Sequence, residues 1–306
     1  MFDNSFPLFS LADRARYIDR RLLSQTELAD ASFDARLSWH PGFIYHTAEA
    51  ADCLFLLSDG GIFTTPHLTL PMGPLDRDRL QTIVDTVAPL FRAYGWPVRC
   101  LYVDACYVPL FEQLQGYRAR IAYDRTFSDY LYDADRLRQL SGKVLHAKRN
   151  HFNRFLRTYP DYEFRPMTAE DAPEALALVR EWCLDKGTDC QDMTVSDFRP
   201  IRTLLDNYDE LQLRGGQIRI DGKLTAFALA SEPINRTGVI HVEKARSDYP
   251  GLYAAINKLM LDHILPDIDW VNREEDLGIA GLRKAKLSYD PSRLIHKYEV
   301  ILCDDT

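Results

Sequence analysis

QIRIDGKLTAFALAS, residues 217–231, is the stretch from which the rest of the chain can be placed. Asp221-Gly222 separates two strand-forming segments by two residues. Such a loop needs positive φ at both central positions, and Asp and Gly are among the few residues that tolerate it. The spacing therefore predicts a hairpin of Gln217–Ile220 with Lys223–Ser231.

Working outward, a third strand is expected at Val239–Lys244, then a helix at Gly251–Leu265 with Leu252, Ile256, Leu259 and His263 turned inward. Trp270-Val271 opens a strand, Gly281–Tyr289 reads as a short basic helix, and Ile295–Leu302 as the last strand. On the other side lie a short strand at Tyr162–Arg165 and a short helix at Ile201–Tyr208. Between them is a helix that Asp171 caps through Glu174, with Pro173 in its first turn and Leu176, Val179, Trp182 and Cys183 as its core stripe. Strands punctuated by helices on one sheet give an α/β or α+β layered fold.

The first half repeats part of this order. A helix at Leu11–Leu23 precedes strands at Phe43–Tyr45, Cys53–Leu57 and Ile62–Leu70, with Asp59-Gly60-Gly61 as a hairpin turn and Trp39–Gly42 as a loop. Leu80–Tyr94 is helical until Gly95 and Pro97 stop it, and Arg99–Val103 returns as a strand. No residue-level repeat accompanies the repeated order. A chain of 306 residues is expected to form two domains. The boundary is placed at the basic helix near 142–159, giving domains of residues 1–142 and 143–306.

Composition narrows the function classes. With 46% hydrophobic residues, 16 Tyr and 15 Phe, the chain can build sizeable cores. A net charge of −8 disfavours a nucleic-acid coat over the whole surface, though not a local basic patch. The six cysteines, at 53, 100, 106, 183, 190 and 303, form no Cys-x-x-Cys pair, and His146 and His151 have the wrong spacing for a helical metal pair. No metal is expected. Scattered cysteines and an N-terminus without a basic lead or long apolar core imply a reduced, cytoplasmic protein, and no apolar run is long enough to span a bilayer.

Three segments could carry chemistry. RLRQLSGKVLHAKRNHFNRFLR, residues 136–157, has seven Lys or Arg and no acid. On a helix, Phe152, Phe155, Leu156 and Tyr159 form one stripe, and Lys143, Asn150, Arg154 and Arg157 fall near another face. That face suits phosphate contact, or it is a solvated surface paired with the protein's own carboxylates. HVEKARSDYPG, residues 241–251, runs from a strand into a helix N-terminus, where backbone N–H groups favour anions. Asp248 and Ser247 are equally plain helix caps. WVNREEDLG, residues 270–278, puts Glu274, Glu275 and Asp276 just before GLRKAKLSY, residues 281–289. Acids beside bases can take a proton and bind groups of both charges, or they are local ion pairs on a loop.

Two motifs add a resemblance. Lys143-x5-Arg149-Asn150-His151-x2-Arg154-Phe155 with Tyr159-Pro160, and the pattern Gly281-Leu282-Arg283-x2-Lys286-x2-Tyr289-x-Pro291, resemble the opening and closing motifs of the C-terminal catalytic domain of bacterial phosphatidylglycerol lysyltransferases. The resemblance implies an α/β (α+β) chain of two tandem acetyltransferase-like (GNAT) domains, each a mixed, mostly antiparallel sheet flanked by helices. It implies transfer of an aminoacyl group from aminoacyl-tRNA to an amine or hydroxyl of a lipid headgroup, peptide or small molecule. The location would be cytoplasmic, or peripheral at the inner membrane face. Such a reaction needs no cofactor.

On this reading Glu243 or Glu274 is the base, with Asp276 and Arg283 also catalytic. Arg283 and Lys286 hold phosphate or the oxyanion, and Lys148, Arg149, Asn150, Arg154, Tyr253 and Asn272 contact substrate. Acetyltransferases carry a Gly-rich turn for coenzyme A where this chain has Tyr249-Pro250-Gly251-Leu252-Tyr253, with Asp248 poorly suited to a pyrophosphate. A coenzyme A-dependent N-acyltransferase using acetyl-CoA and a non-catalytic binding module are the alternatives.

Overall fold

The structure is a computed structural model that describes residue 2 and residues 6–305. The chain forms two compact units, one of Met1–Ser128 with Ile295–Thr306, the other of Asp129–Leu294.

In chain order the first unit carries α1 (Arg14–Leu22), α2 (Phe33–Phe43), β1 (Tyr45–Ala50), β2 (Cys53–Ser58), β3 (His67–Thr69), α3 (Arg77–Ala93), β4 (Val98–Asp104), α4 (Val108–Glu112) and β5 (Tyr117–Tyr123). The second carries β6 (Asp129–Asp133), α5 (Ala134–Gln139), α6 (His146–Thr158), β7 (Glu163–Pro166), α7 (Ala172–Lys186), α8 (Phe198–Asp206), β8 (Arg214–Ile220), β9 (Lys223–Ala230), β10 (Thr237–Ala245), α9 (Leu252–Leu259), β11 (Trp270–Asn272), α10 (Ala280–Leu287) and β12 (Arg293–Ile295). A final strand, β13 (Lys297–Asp304), returns to the first unit. One sheet has the order β1-β2-β3-β4-β13-β5, the other β12-β6-β11-β10-β9-β8-β7.

The hairpin that anchored the sequence reading forms as expected. β8 and β9 pair antiparallel, and Asp221 and Gly222 both adopt positive φ, 51° and 77°. Ile218, Ala226, Phe227, Ala228 and Leu229 are fully buried, and α9 packs on this layer through Leu252, Ala255, Ile256 and Leu259. In the first unit the α3 stripe Leu80, Ile83, Val84, Val87 and Phe91 is buried as its periodicity required. Each such side chain contributes roughly 1.5–3 kcal/mol through its removal from water.

Several sequence expectations need correction. Trp39–Gly42 is not a loop but the last turn of α2, which ends where Ile44 turns left-handed at φ 55°. The β1–β2 turn is made by Ala51 and Asp52, both at positive φ, while β2 and β3 pair antiparallel across the expected Asp59–Gly61 turn, through a longer connection of residues 59–66. Gly61 instead presses on α2, where an added Cβ would lie 1.7 Å from the Gly42 carbonyl oxygen. Of the strand expected at Ile62–Leu70 only His67–Thr69 forms. The cap before α7 is a box between Thr168 and Asp171, and Glu174 accepts from the Leu224 N–H across to β9.

The single boundary expected at residues 142/143 differs from the two crossings observed, at 128/129 and 294/295. The reason is pairing. The last strand lies between β4 and β5 in the first sheet, and Asp129–Asp133 joins β11 in the second. A strand's apolar pattern states that it is buried but not which neighbour it pairs with.

Deleting residues 297–306 should therefore strip hydrogen-exchange protection from β4 and β5, whose ladder bonds go to β13. Unchanged protection at 98–104 and 117–123 would contradict this pairing.

Candidate functional site

β10 and β11 are parallel and pair only through Thr237↔Trp270, Gly238↔Val271 and Val239↔Asn272. Beyond Val239 and Asn272 they part. Ligands of α/β sheets collect where neighbouring parallel strands diverge at their carboxyl ends. The residues just past the last pair are His241 and Glu243 on one strand and Arg273 and Glu274 on the other. Val239, His241 and Glu243 are each half-buried on β10.

An ion pair and a hydrogen bond cross the opening. Arg273 donates to Glu243 Oε2, and His241 Nδ1 lies 2.7 Å from Glu274 Oε1. Glu243 Oε1 also accepts from Asn257 Nδ2 of α9 at 2.9 Å. On the other side of the imidazole, His241 Nε2 is 2.6 Å from Ser231 Oγ at the end of β9. The Glu274 carboxylate only accepts, so Nδ1 is the ring's donor on that side, and Nε2 is within hydrogen-bond reach of the Ser231 hydroxyl, which can donate or accept. A β-bulge between Ile240 and Val242 re-aims His241 toward that serine.

Glu274 is held in a conformation it would not choose. Its φ is 58°, left-handed for a residue with a Cβ, at a strain on the order of 1 kcal/mol. Three bonds offset the strain. Its N–H donates to Asn272 Oδ1 at 2.8 Å, and its carbonyl accepts from the Tyr130 N–H and from Lys286 Nζ, each at 3.2 Å. Asn272 is fixed by Asp129, to which its Nδ2 donates at 3.0 Å. Lys286 also donates to the Arg273 carbonyl, and burial lowers its pKa with the Arg273 charge adding to the effect.

Asp276 is fully buried and receives the Arg283 fork through Nε and Nη2, both at 2.8 Å, together with the Tyr130 hydroxyl at 2.5 Å. The bond to Asp276 raises the Arg283 pKa. Two of the five Arg283 donors are thus committed to Asp276, and Lys286 is turned inward onto carbonyls. The two cations expected to hold phosphate build the loop instead.

Of the α6 residues, Lys148 reaches this site. Its Nζ lies 4.0 Å from the centre of the Tyr289 ring, and Arg273 lies 4.6 Å from the same ring. Burial pushes the Lys148 ammonium down to about 8, with Arg273 lowering it further and Glu243 opposing. Burial would also lower Arg273, but Glu243 and the tyrosines outweigh it and raise its pKa. Burial pushes the Tyr289 hydroxyl up to about 12.

Arg149 donates to the Leu140 carbonyl at 2.7 Å, Asn150 bonds His146 at 3.3 Å, and Arg154 is exposed. Among the described residues none of Lys143, Lys148, Arg149, Arg154 or Arg157 is within ion-pair distance of a carboxylate, so α6 is not neutralised by the protein's own acids. Tyr253 stands on the first turn of α9 and accepts from Trp182 Nε1 at 3.3 Å. That Trp182 lines, with Glu181, Asp185, Arg246 and Asp248, a cleft of about 490 Å³.

Residues 38–301 match the family described as "Phosphatidylglycerol lysyltransferase, C-terminal". The chain belongs to this family. A crystal structure of a conserved protein of unknown function from Bacteroides thetaiotaomicron VPI-5482 is 34% identical, with a TM-score of 0.89 over 97% of this chain and 100% of that one. The structure of L-PGS from Bacillus licheniformis is 14% identical, with a TM-score of 0.67 over 97% of this chain and 93% of that one, and shares the fold. An uncharacterized protein of Mycoplasmoides gallisepticum is 26% identical over 190 residues, 58% of this chain and 57% of the relative. The chain thus spans little more than half the length of that curated relative.

The mixed sheets flanked by helices agree with the sequence expectation. Family and fold support an acyltransferase-like role. Among the described residues no helix is long and apolar enough to cross a membrane.

Glu243, Glu274, Asn272, Asp276, Arg283 and Lys286, all expected from the sequence, come together around the loop after β11. Their partners His241, Arg273, Asn257 and Ser231 are not among the residues expected. A signal was present in His241-x-Glu243 and Arg273-Glu274, where each strand end carries one carboxylate and one cation or imidazole.

Lys148 supplies a titration that checks this site. Its folded pKa is depressed below the unfolded value of about 10.4. Its burial therefore opposes folding below pH 8, and the penalty is relieved as pH rises from there toward the unfolded value. Lys148→Met should raise stability at pH 7, and the gain should shrink steadily above pH 8. NMR of reductively methylated lysines should find one group titrating near 8. A gain independent of pH would exclude Lys148 as a half-buried charge.

Proposed function

We propose that this chain transfers an aminoacyl group from aminoacyl-tRNA to an amine or hydroxyl acceptor. The observation that carries the reading is the His241–Glu274 pair, a base oriented by a carboxylate at the point where β10 and β11 part. An aminoacyl ester is already activated, so the protein must position two substrates, accept one proton and stabilise one oxyanion.

His241 Nε2 takes the acceptor's proton, and Glu274 stabilises the imidazolium that forms. Glu274 thus acts through His241 rather than directly. Glu243, paired with Arg273 and bonded by Asn257, positions and does not deprotonate. Arg273 and Lys148, cations packed on the Tyr289 ring, are the groups suited to developing negative charge on the ester oxygen. Exposed Lys143, Arg154 and Arg157 suit the phosphates of a tRNA end. The donor is cytoplasmic, so the reading implies a reaction in the cytoplasm or at the inner membrane face.

Coenzyme A is disfavoured as the alternative donor. The α9 N-terminus is covered by α6, and a Cβ on Gly251 would meet the His151 carbonyl oxygen at 2.3 Å. That glycine admits the close approach of α6 where an acetyltransferase would admit a pyrophosphate, and Asp248 borders the same turn.

The test is whether a mixture of charged tRNAs loses aminoacyl groups to a cell extract only when this protein is present. His241→Gln should lower the rate by about 10²–10⁴-fold, the usual worth of a positioned base, in a variant that still unfolds cooperatively. Full activity in that variant, or heat release on titrating acetyl-CoA with no effect of charged tRNA, would overturn the reading.

A further inference from the structure

Ser231, His241 and Glu274 stand in a line with separations of 2.6 Å from Oγ to Nε2 and 2.7 Å from Nδ1 to the carboxylate. These are the distances of a nucleophile, its base and the group that orients the base. Three elements contribute one residue each: the end of β9, the bulge of β10 and the loop after β11. Cross-strand register explains why Ser231 and His241 are neighbours, since the Ser231 N–H donates to the Val239 carbonyl at 3.1 Å. Register does not explain Glu274. Its carboxylate reaches the imidazole only because the backbone is held left-handed at φ 58° by Asn272, Tyr130 and Lys286. Strain that the surroundings over-determine marks a site better than a hydrogen bond does. Ser231 is 6% exposed and the His241 side chain 5%, while the Glu274 carboxylate at the outer end of the line is 28% exposed.

We propose that Ser231 is a nucleophile and that acyl transfer proceeds through a covalent acyl-serine on this residue. The inference rests on His241 and Glu274 as the base but not on tRNA as the donor. In the first half, the Ser231 hydroxyl proton passes to His241 Nε2 as Oγ bonds to the ester carbonyl carbon. The carbon–oxygen bond to the leaving alcohol then breaks, and that oxygen takes the proton back from Nε2. In the second half, an amine or hydroxyl acceptor gives its proton to Nε2 as it bonds to the same carbon. The bond to Oγ breaks, and the proton returns to Ser231. Atoms and charge balance with no oxidant, metal or nucleotide. Two consequences distinguish this route from direct attack by the acceptor. The acylated protein accumulates when no acceptor is present, and water slowly replaces the acceptor.

The experiment mixes the full chain with the p-nitrophenyl ester of an N-protected amino acid at pH 7.5. It reads p-nitrophenolate release and the mass of the acid-quenched protein. The expected result is a burst close to one equivalent, one acyl adduct on the peptide bearing Ser231, and at least a hundred-fold loss of burst rate in Ser231→Ala and His241→Gln. Melting temperatures of both variants are compared with the parent chain, and Ser231→Cys, which keeps a nucleophile of similar size, should restore an adduct at that position. No adduct, an adduct on a lysine or cysteine of the parent chain, or an undiminished burst in a folded Ser231→Ala protein overturns the proposal. The charged-tRNA assay separates this from the donor assignment. An acyl-serine formed from the ester with no effect on charged tRNA keeps the nucleophile and removes the donor. Unimpaired tRNA deacylation by Ser231→Ala, with loss in His241→Gln, keeps the donor and removes the nucleophile.

Discussion

The second unit depends on the early parting of β10 and β11. Three residue pairs hold the strands together, and then their backbone groups need other partners. The Tyr130 backbone meets part of that need through the Arg273 N–H and the Glu274 carbonyl, Asn272 accepts from the Glu274 N–H, and Lys286 gathers the carbonyls of Arg273 and Glu274. Arg273–Glu243 and His241–Glu274 bridge the opening side chain to side chain. Each bond removes a buried unmet polar group, which would otherwise cost about 1–3 kcal/mol. The result is a rigid frame of charge around one imidazole.

The rest of the unit supports this frame in layers. α10 supplies Arg283 for Asp276, whose carboxylate is fully buried and would be strongly destabilising if unpaired. Tyr132 donates to the Lys286 carbonyl at 2.9 Å and lies under Arg273, so the same ring ties α10 to β6 and stabilises the guanidinium. α9 offers Asn257 to Glu243, and α6, packed on α9 through Phe155, brings Lys148 over Tyr289. α6 thus divides its charges. Lys148 and Arg149 turn toward the protein, while Arg154 and Arg157 stay in water.

Much of this was legible in the sequence, and the limits have physical causes. The Asp221-Gly222 turn, the α3 stripe and the closing motif were readable because they rest on local conformation or on spacing along one element. What could not be read was pairing between distant strands. β13 carries an ordinary strand pattern, yet its partners are β4 and β5, nearly two hundred residues earlier. The same limit hid the candidate site. Glu274 and Lys286 were legible as charged residues near a strand end. That Glu274 addresses His241, and that Lys286 and Arg283 serve the loop rather than a phosphate, follows from a left-handed residue and a bulge. Neither has a sequence signature when the residues concerned are Glu and His.

The central claim is that Glu274 fixes His241 with its proton on Nδ1 and its lone pair toward Ser231. The imidazole nitrogen shifts of His241, measured by ¹⁵N NMR at pH 7.5, test it most directly. The account predicts a neutral ring protonated at Nδ1, with Nε2 shifted as a hydrogen-bond acceptor. A ring protonated at Nε2, whether neutral or charged, would contradict it.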